Sequence, residues 1–559
     1  MAAMSQSSPS HDGAWRSAAS LTRYPEAFGV RGMVASAHPR AAMIGTAILE
    51  RGGNAFDAAI AIAAAEGVLL PMMCGLGGDG FAVIYDARLR EVLGLNGSGV
   101  AASGATREYY ASQGLRLMPL EGVHAVGVPG AVAFYEAIWK RWGTLPWAEL
   151  WAPAIKLAQD GVAMTAWVSR WIGERADVLR RFPDSARLFL PAGRPPAPGE
   201  RWAAPDLARS LRAVATDGAE TFYRGELAER LLAFLRREGA LFDRGDFARQ
   251  LGETFVHPAI ATDYRGFQVY ETAPVSQGFL VLSQLNILEG FDLRSLPLVG
   301  TDRIHLTVEA KKLAFEDRNR HAGDPAFVKW PLAELIGKEH AARRRAEIDL
   351  ARARLPEATL VPEHAADTSY FAVVDVDGNA VSFIHSLSAA FGSGVVAGDT
   401  GITLNNRAGR GFTLDEGHPN VIAPGKRTMH TLNAYLVCQG GQPWLVGGTP
   451  GGDQQTQWST QVITSMIDHG LSPQEAVEVP RWFSFPGTDP ANLGLPAVVR
   501  VEERVAEATR RELAARGHVV ETLGPWAGGG ATQLIQVDPA RGVLRGGSDP
   551  RPGGVALGL

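Results

Sequence analysis

Apolar positions follow two patterns along the chain. Between residues 130 and 350 they recur at helical spacing, in VAFYEAIWKRWG, AELWAPAIKLAQDG, AERLLAFLRREG, FLVLSQLNILEG and TVEAKKLAFEDRNR. Several of these helices end in glycine, as a left-handed C-cap requires. Beyond Thr368 the runs shorten to strand length in YFAVVDV, NAVSFIHS, GITLNN, AYLVCQ and PWLVGG, and a helix follows in QQTQWSTQVITSMIDHG. The next helix opens at Ser472-Pro473-Gln474-Glu475, a capping box with proline at the first helical position. Near the C-terminus ATQLIQVDPARGVLRGGSDPR predicts another hairpin. Ahead of both regions, MVASAHPRAAMIGTAILERGGNAFDAAIAIAAAEGVLL predicts a strand, a helix, a Gly-Gly break and a second apolar helix. FAVIYD and EVLGLN then pair across a short turn. Helix-rich sequence followed by strand-rich sequence implies layered α+β, with antiparallel sheets between helices. Residues 1–30 are expected to form a disordered tail. PAGRPPAPGERW (191–202) and LPEATLVPEHAAD (355–367) are expected to be exposed loops.

Composition narrows the function more than the fold. The 559 residues are 46% hydrophobic and 20% charged, with a formal net charge of −5. That balance fits a large core and gives no electrostatic case for nucleic acid or an anionic membrane as partner. The apolar stretch Asn54–Leu70 is interrupted by Asp57 and Glu66, too short and too charged to span a bilayer. Residues 1–20 lack a basic start and an apolar run, so the expected location is the cytoplasm. The two cysteines, Cys74 and Cys438, make neither a disulfide framework nor a zinc site, and are expected to be buried thiols. No metal or cofactor is expected.

Three local features carry chemistry. Thr368 opens a strand that turns at Asp377-Gly378 into a second strand. Cleavage between Asp367 and Thr368 would leave a hydroxyl and a free α-amine on one residue. An amine with a reference pKa of roughly 7.7–8.0 can take the hydroxyl's proton near neutral pH. Thr is also a common strand residue, and on the local pattern alone an ordinary hairpin is the favoured reading. Gly75 to Gly80 formally matches GxGxxG, but a helix precedes it and a strand follows. That is the reverse of a dinucleotide site, so it reads as a tight turn. Gly447-Gly448-Thr449-Pro450-Gly451-Gly452-Asp453 has the opposite order, with Asp453 a candidate N-cap. It lacks the Lys-Ser/Thr of a P-loop. The backbone N–H groups of Gly451 and Gly452 could approach an oxyanion, and a plain strand-to-helix turn is the alternative.

Taken together, these segments resemble the γ-glutamyltranspeptidase family of N-terminal-nucleophile hydrolases. The likeness runs from about residue 31 to the end, through GMVASAHPRA, ILERGGNAFDAAIA, CGLGGDGF, GVPGAVAFYEA, EAKKLAFEDRNRHAGDP, DTSYFAVVDVDGNAVSF, FGSGVVAGDTGITLNN, GTPGGD and GGSDPRPGG. It implies a four-layer αββα sandwich made as a proenzyme. Self-cleavage before Thr368 would give a large subunit, 31–367 beyond the tail, and a small subunit, 368–559, possibly paired into a dimer of heterodimers. It further implies Thr368 as nucleophile, Gly451 and Gly452 as the oxyanion hole, and Ser386 where the family usually has a second threonine that orients the nucleophile.

The departures concern the acyl pocket. Where transpeptidases hold the γ-glutamyl carboxylate with arginine, this chain has Ser98. Their ammonium-binding positions read Ser388, Arg407 and Arg410, and their Ser-Ser pair reads His430-Thr431. An acyl group with a carboxylate and no ammonium would suit Arg407, which is otherwise a structural ion pair. The expectation is an amidohydrolase for a small-molecule amide whose acyl group is oxamate-like or glutaryl-like. A γ-glutamyltransferase or glutathione hydrolase is the alternative, and a silent paralogue the reading from another class.

Overall fold

The structure is a computed structural model that describes residues 22–253, 255–354, 366–485 and 497–559. Two seven-stranded sheets, each antiparallel throughout, form its centre. In spatial order the first runs Val555–Gly558, Met33–Ser36, Ala366–Val374, Ala380–Ala389, Asp79–Asp86, Glu91–Asn96 and Val256–Pro258. The second runs Ala27–Gly29, Val543–Ser548, Gln533–Asp538, Gln442–Gly448, Tyr435–Gln439, Phe267–Glu271 and Ile260–Tyr264.

Side-chain alternation along the strands explains how the layers stack, because successive residues face opposite sides of a sheet. Tyr370, Ala372 and Val374 face the second sheet and share a core with Leu436, Cys438, Val446 and Ile535. Their neighbours Phe371 and Val373 face outward and pack under the helices Ala55–Leu69 and Ala131–Trp142. On the second sheet, Tyr435, Val437, Leu445 and Leu534 face the helices Phe279–Leu288, Thr301–His321 and Gln455–Ile467. The order is therefore helix, sheet, sheet, helix, the αββα sandwich that the resemblance implies.

The predicted hairpins, the long helices and the capping box at Ser472 are all present. Five readings change. Ala27–Gly29, assigned to the tail, pairs with Val543–Ser548 because its backbone meets an open sheet edge. GITLNN forms only isolated bridges, Gly77 with Leu404 and Val396 with Thr403. The Asp377-Gly378 turn is the tip of a five-residue loop, 375–379. There the Asp375 carboxylate accepts from the Asn379 and Asp377 amides and from the Ala55 amide of the facing helix. Gly161 and Gly239 take left-handed φ at helix ends, whereas Gly143 does not (φ −62°). Of the Pro-rich stretches, residues 191–200 form a loop, but Trp202 is buried in a short strand. Residues 355–365 lie outside the described residues. Both cysteines are buried thiols, as expected.

Candidate active site

Thr368 lies at an irregularity in its strand. Pairing with Ala380–Ala389 shifts register between Asp367 and Ser369, and Ser369 then faces His385. A bulge of this kind re-aims one side chain. The Thr368 hydroxyl is buried and donates to Ser386 Oγ at 3.1 Å, and Ser386 Oγ accepts from the Ser388 amide at 2.8 Å. Ser388 adopts φ +89°, unusual for a residue with a Cβ. Its Oγ is buried without a hydrogen-bond partner among the described residues.

Behind this pair, residues that the sequence did not single out form a polar cluster. Glu66 is fully buried in the helix Ala55–Leu69. One oxygen accepts from Ser36 Oγ at 2.7 Å. The other accepts from Ser369 Oγ at 2.6 Å and meets His385 Nε2 at 2.8 Å. Tyr135 OH meets His385 Nδ1 at 3.0 Å. One carboxylate thus ties together the chain neighbours of both Thr368 and Ser386. The signal for it was in the sequence, since a charge inside an apolar helix needs partners.

On the facing sheet, Gly451 and Gly452 take φ +135° and +56°. Gln277 Nε2 donates to the Gly452 carbonyl at 3.0 Å and to the Thr431 carbonyl at 2.6 Å. Arg318 holds Gln277 Oε1 and, at 2.6 Å, Asp453 Oδ1. Asp453 is therefore half of a buried ion pair and not the predicted N-cap. The following helix starts at Gln455 without a side-chain cap.

Arg407 and His430 converge on Asp79, a buried residue of the Gly75–Gly80 turn. Arg407 Nε lies 3.1 Å from Asp79 Oδ2, His430 Nε2 lies 3.5 Å from the same oxygen, and the Gly99 amide donates to Oδ1 at 3.3 Å. The Ser98 hydroxyl itself bonds Asn96 Oδ1 at 2.6 Å. Burial pushes the Asp79 carboxyl up, against the Arg407 charge. Burial first, then Arg407 and Arg427, holds His430 far below the usual imidazole range and keeps it neutral. Arg407 is thus an ion-paired residue beside the site. Arg410 sits on the Thr368 side, donating to the Ser388 carbonyl at 2.9 Å.

The γ-glutamyltranspeptidase family model matches residues 41–559. The chain belongs to that family. It is 41% identical over 537 residues to a glutathione hydrolase-like YwrD proenzyme from Bacillus subtilis (strain 168), covering 95% of this chain and 99% of the relative. An oxamate amidohydrolase proenzyme from Klebsiella pneumoniae is 35% identical over 537 residues, covering 94% and 98%. A crystal structure of cephalosporin acylase from Bacillus halodurans superposes with a TM-score of 0.88 at 35% identity, covering 99% of both chains.

In this family member a cleft of about 500 Å3 opens at Gly451, with Arg410 and Asp453 in its wall. Among the described residues two groups of metal-ligand type occur. Glu66, Cys74 and His385 sit together, but burial and then Glu66 push the Cys74 thiol well up, which keeps it protonated and a poor ligand. In the trio of His305, Glu309 and His518, Lys312 already holds Glu309 at 2.7 Å, a cation where a metal would be. Among the described residues no helix is long and apolar enough to cross a membrane.

Proposed function

We propose that the chain is a self-processing amidohydrolase with Thr368 as its nucleophile. The supporting observation is the Thr368 hydroxyl, bonded to Ser386 Oγ at 3.1 Å on a bulge that Glu66 anchors from behind. In the precursor that hydroxyl attacks the Asp367 carbonyl. Hydrolysis of the resulting ester then frees the α-amine and leaves subunits 1–367 and 368–559. In turnover the amine takes the hydroxyl's proton, the oxygen attacks the substrate amide, and water or an amine releases the acyl group. The Gly451 and Gly452 amides stabilise the oxyanion, with Gln277 on the Gly452 carbonyl fixing the loop.

The acyl group in this reading is small and bears a carboxylate. Because Asp79 engages Arg407, the carboxylate-gripping role passes to Arg410, which lines the cleft beside Gly451. Ser98, Ser388, His430 and Thr431 shape the remainder, with His430 neutral. One observation favours a γ-glutamyl substrate instead. Asp79 with Arg407 offers one acid and one guanidinium, the complement of an amino acid's zwitterion.

Assay of oxamate, a glutaryl amide and a γ-glutamyl anilide separates the two. Turnover of the first or second over the third is expected, and robust activity on the anilide alone would reverse the assignment. A denaturing gel showing one band for wild type would count against self-processing.

A further inference from the structure

The polar cluster behind Thr368 draws on the outer helices as well as on the sheet beneath them. Glu66 belongs to the helix Ala55–Leu69 and Tyr135 to the helix Ala131–Trp142. Ser36, Ser369 and His385 come from three neighbouring strands of the first sheet. All five side chains are buried, so a group that loses its partner there cannot turn to water instead.

The bonds assign the hydrogens. Ser36 Oγ and Ser369 Oγ donate to Glu66 at 2.7 and 2.6 Å, and His385 Nε2 at 2.8 Å supplies that carboxylate's third donor. His385 Nδ1 is left to accept from Tyr135 OH at 3.0 Å. Burial pushes the Tyr135 hydroxyl well above the usual phenol range, so it keeps its proton and donates. The order runs from Tyr135 to His385 to Glu66, and Glu66 holds Ser369, one residue past the bond that is cut.

Self-cleavage makes a demand on this strand that turnover does not. The Thr368 hydroxyl and the Asp367 carbonyl carbon share one backbone, so their approach closes a five-membered ring through Cβ, Cα and N of Thr368. The Oγ–C bond forms, the C–N bond breaks, and the hydroxyl proton passes to the departing nitrogen; water then splits the ester. Closure requires one backbone geometry at Thr368, where the register shifts between Asp367 and Ser369. In turnover the acyl carbon arrives on a separate molecule, and no chain runs on from Thr368 to Asp367.

We propose that Tyr135 and His385 are positioning residues for self-cleavage, and that they make the cut conditional on docking of the helices Ala55–Leu69 and Ala131–Trp142. That assignment rests on the self-processing reading above. Glu66 and Tyr135 reach the strand only from helices already seated on the sheet. A precursor whose outer layer is not in place lacks the held bulge and stays uncut.

Full-length wild type and variants are followed from cell-free synthesis on timed denaturing gels, with Tm and the kcat of the cleaved protein measured alongside. Tyr135→Phe and His385→Leu are expected to slow the cut about 10-fold, and to slow it several-fold more than they lower kcat. His385→Gln, whose amide both donates and accepts, should restore the rate. Where His385→Leu fails to fold, Tyr135→Phe, which removes a single oxygen, carries the test. Docking is tested by Trp142→Ala, since Trp142 stacks on Phe56 at 5.1 Å and joins the two helices. Phe56 lies about 15 Å along its helix from Glu66, yet the cut should slow in this variant too. Wild-type cleavage in Tyr135→Phe, or losses in cleavage that only match those in kcat and Tm, would overturn the positioning role and leave self-processing standing. Wild-type cleavage in Trp142→Ala would overturn the dependence on docking. A single uncut band for wild type would remove both this inference and the self-processing reading.

Discussion

Two glycine loops, residues 75–80 and 447–453, look alike in composition but connect their elements in opposite order. The first passes from a helix into a strand. Its glycines let backbones touch: a Cβ on Gly77 would lie 2.1 Å from the Thr403 carbonyl oxygen, and one on Gly78 2.4 Å from that of Ser386. The second passes from a strand into a helix, and its glycines supply left-handed φ at 451 and 452. Each loop leads to a buried aspartate matched to one arginine, Asp79 to Arg407 and Asp453 to Arg318. Glycine content is thus uninformative by itself. In the reading proposed above, the order of elements decides which loop presents its backbone N–H groups to a ligand.

The largest effect tests whether either loop serves a reaction. Thr368→Ala is expected to abolish both chain cleavage and turnover, read as one full-length band on a denaturing gel and no product. Next come the glycines themselves. Gly78→Ala should lower stability by about 1–3 kcal/mol through backbone overlap, seen as a fall in Tm. Gly452→Ala should cost about 1 kcal/mol of stability but roughly 100-fold in kcat, because a displaced oxyanion donor acts on the transition state. Equal kcat losses in the two variants would erase the distinction.

The aspartates sharpen the comparison further. Asp453→Asn and Asp79→Asn each leave a buried guanidinium without its acid, a loss of about 3–5 kcal/mol for such pairs. The first should act on kcat through the oxyanion loop and the second on KM through the acyl pocket, measured by steady-state kinetics on one substrate. Behind both loops, Glu66→Gln should slow self-cleavage about 10-fold by loosening Ser369 and His385, read as precursor persisting in a timed gel.

A further test is pH dependence. Burial pulls Lys311, near Asp453, from 10.5 to about 7. Between those values the unfolded chain holds a proton that the folded chain lacks, so stability should rise as pH climbs from about 7 to about 10.5. Below that window both states are protonated and the penalty is full. Lys311→Met should flatten this rise in Tm. His430, neutral throughout the physiological range, should add no acid limb to the activity profile, which is expected to follow the α-amine at roughly 7.7–8.0.

Legibility in the sequence tracked the range of the interactions involved. The Thr368 hairpin, the Ser472 capping box and the alternating strands were readable because periodicity and capping involve residues a few positions apart. Ala27–Gly29 was missed because a three-residue edge strand has no pattern of its own and exists only against Val543–Ser548. Asp453 was misread as a cap because Arg318, 135 positions away, is its partner. GITLNN has strand composition but meets no continuous partner strand.

The sequence by itself determined the layered fold and the line of residues from Thr368 to Gly452, since these depend on local pattern and on the order of motifs. Only the tertiary structure decided what surrounds them. Glu66 stands behind Thr368 through a helix some 300 positions earlier, Asp79 claims Arg407 across 328 positions, and Arg410 reaches the cleft. The physical reason is that a buried charge takes its meaning from its partner, and folding, not sequence adjacency, chooses the partner.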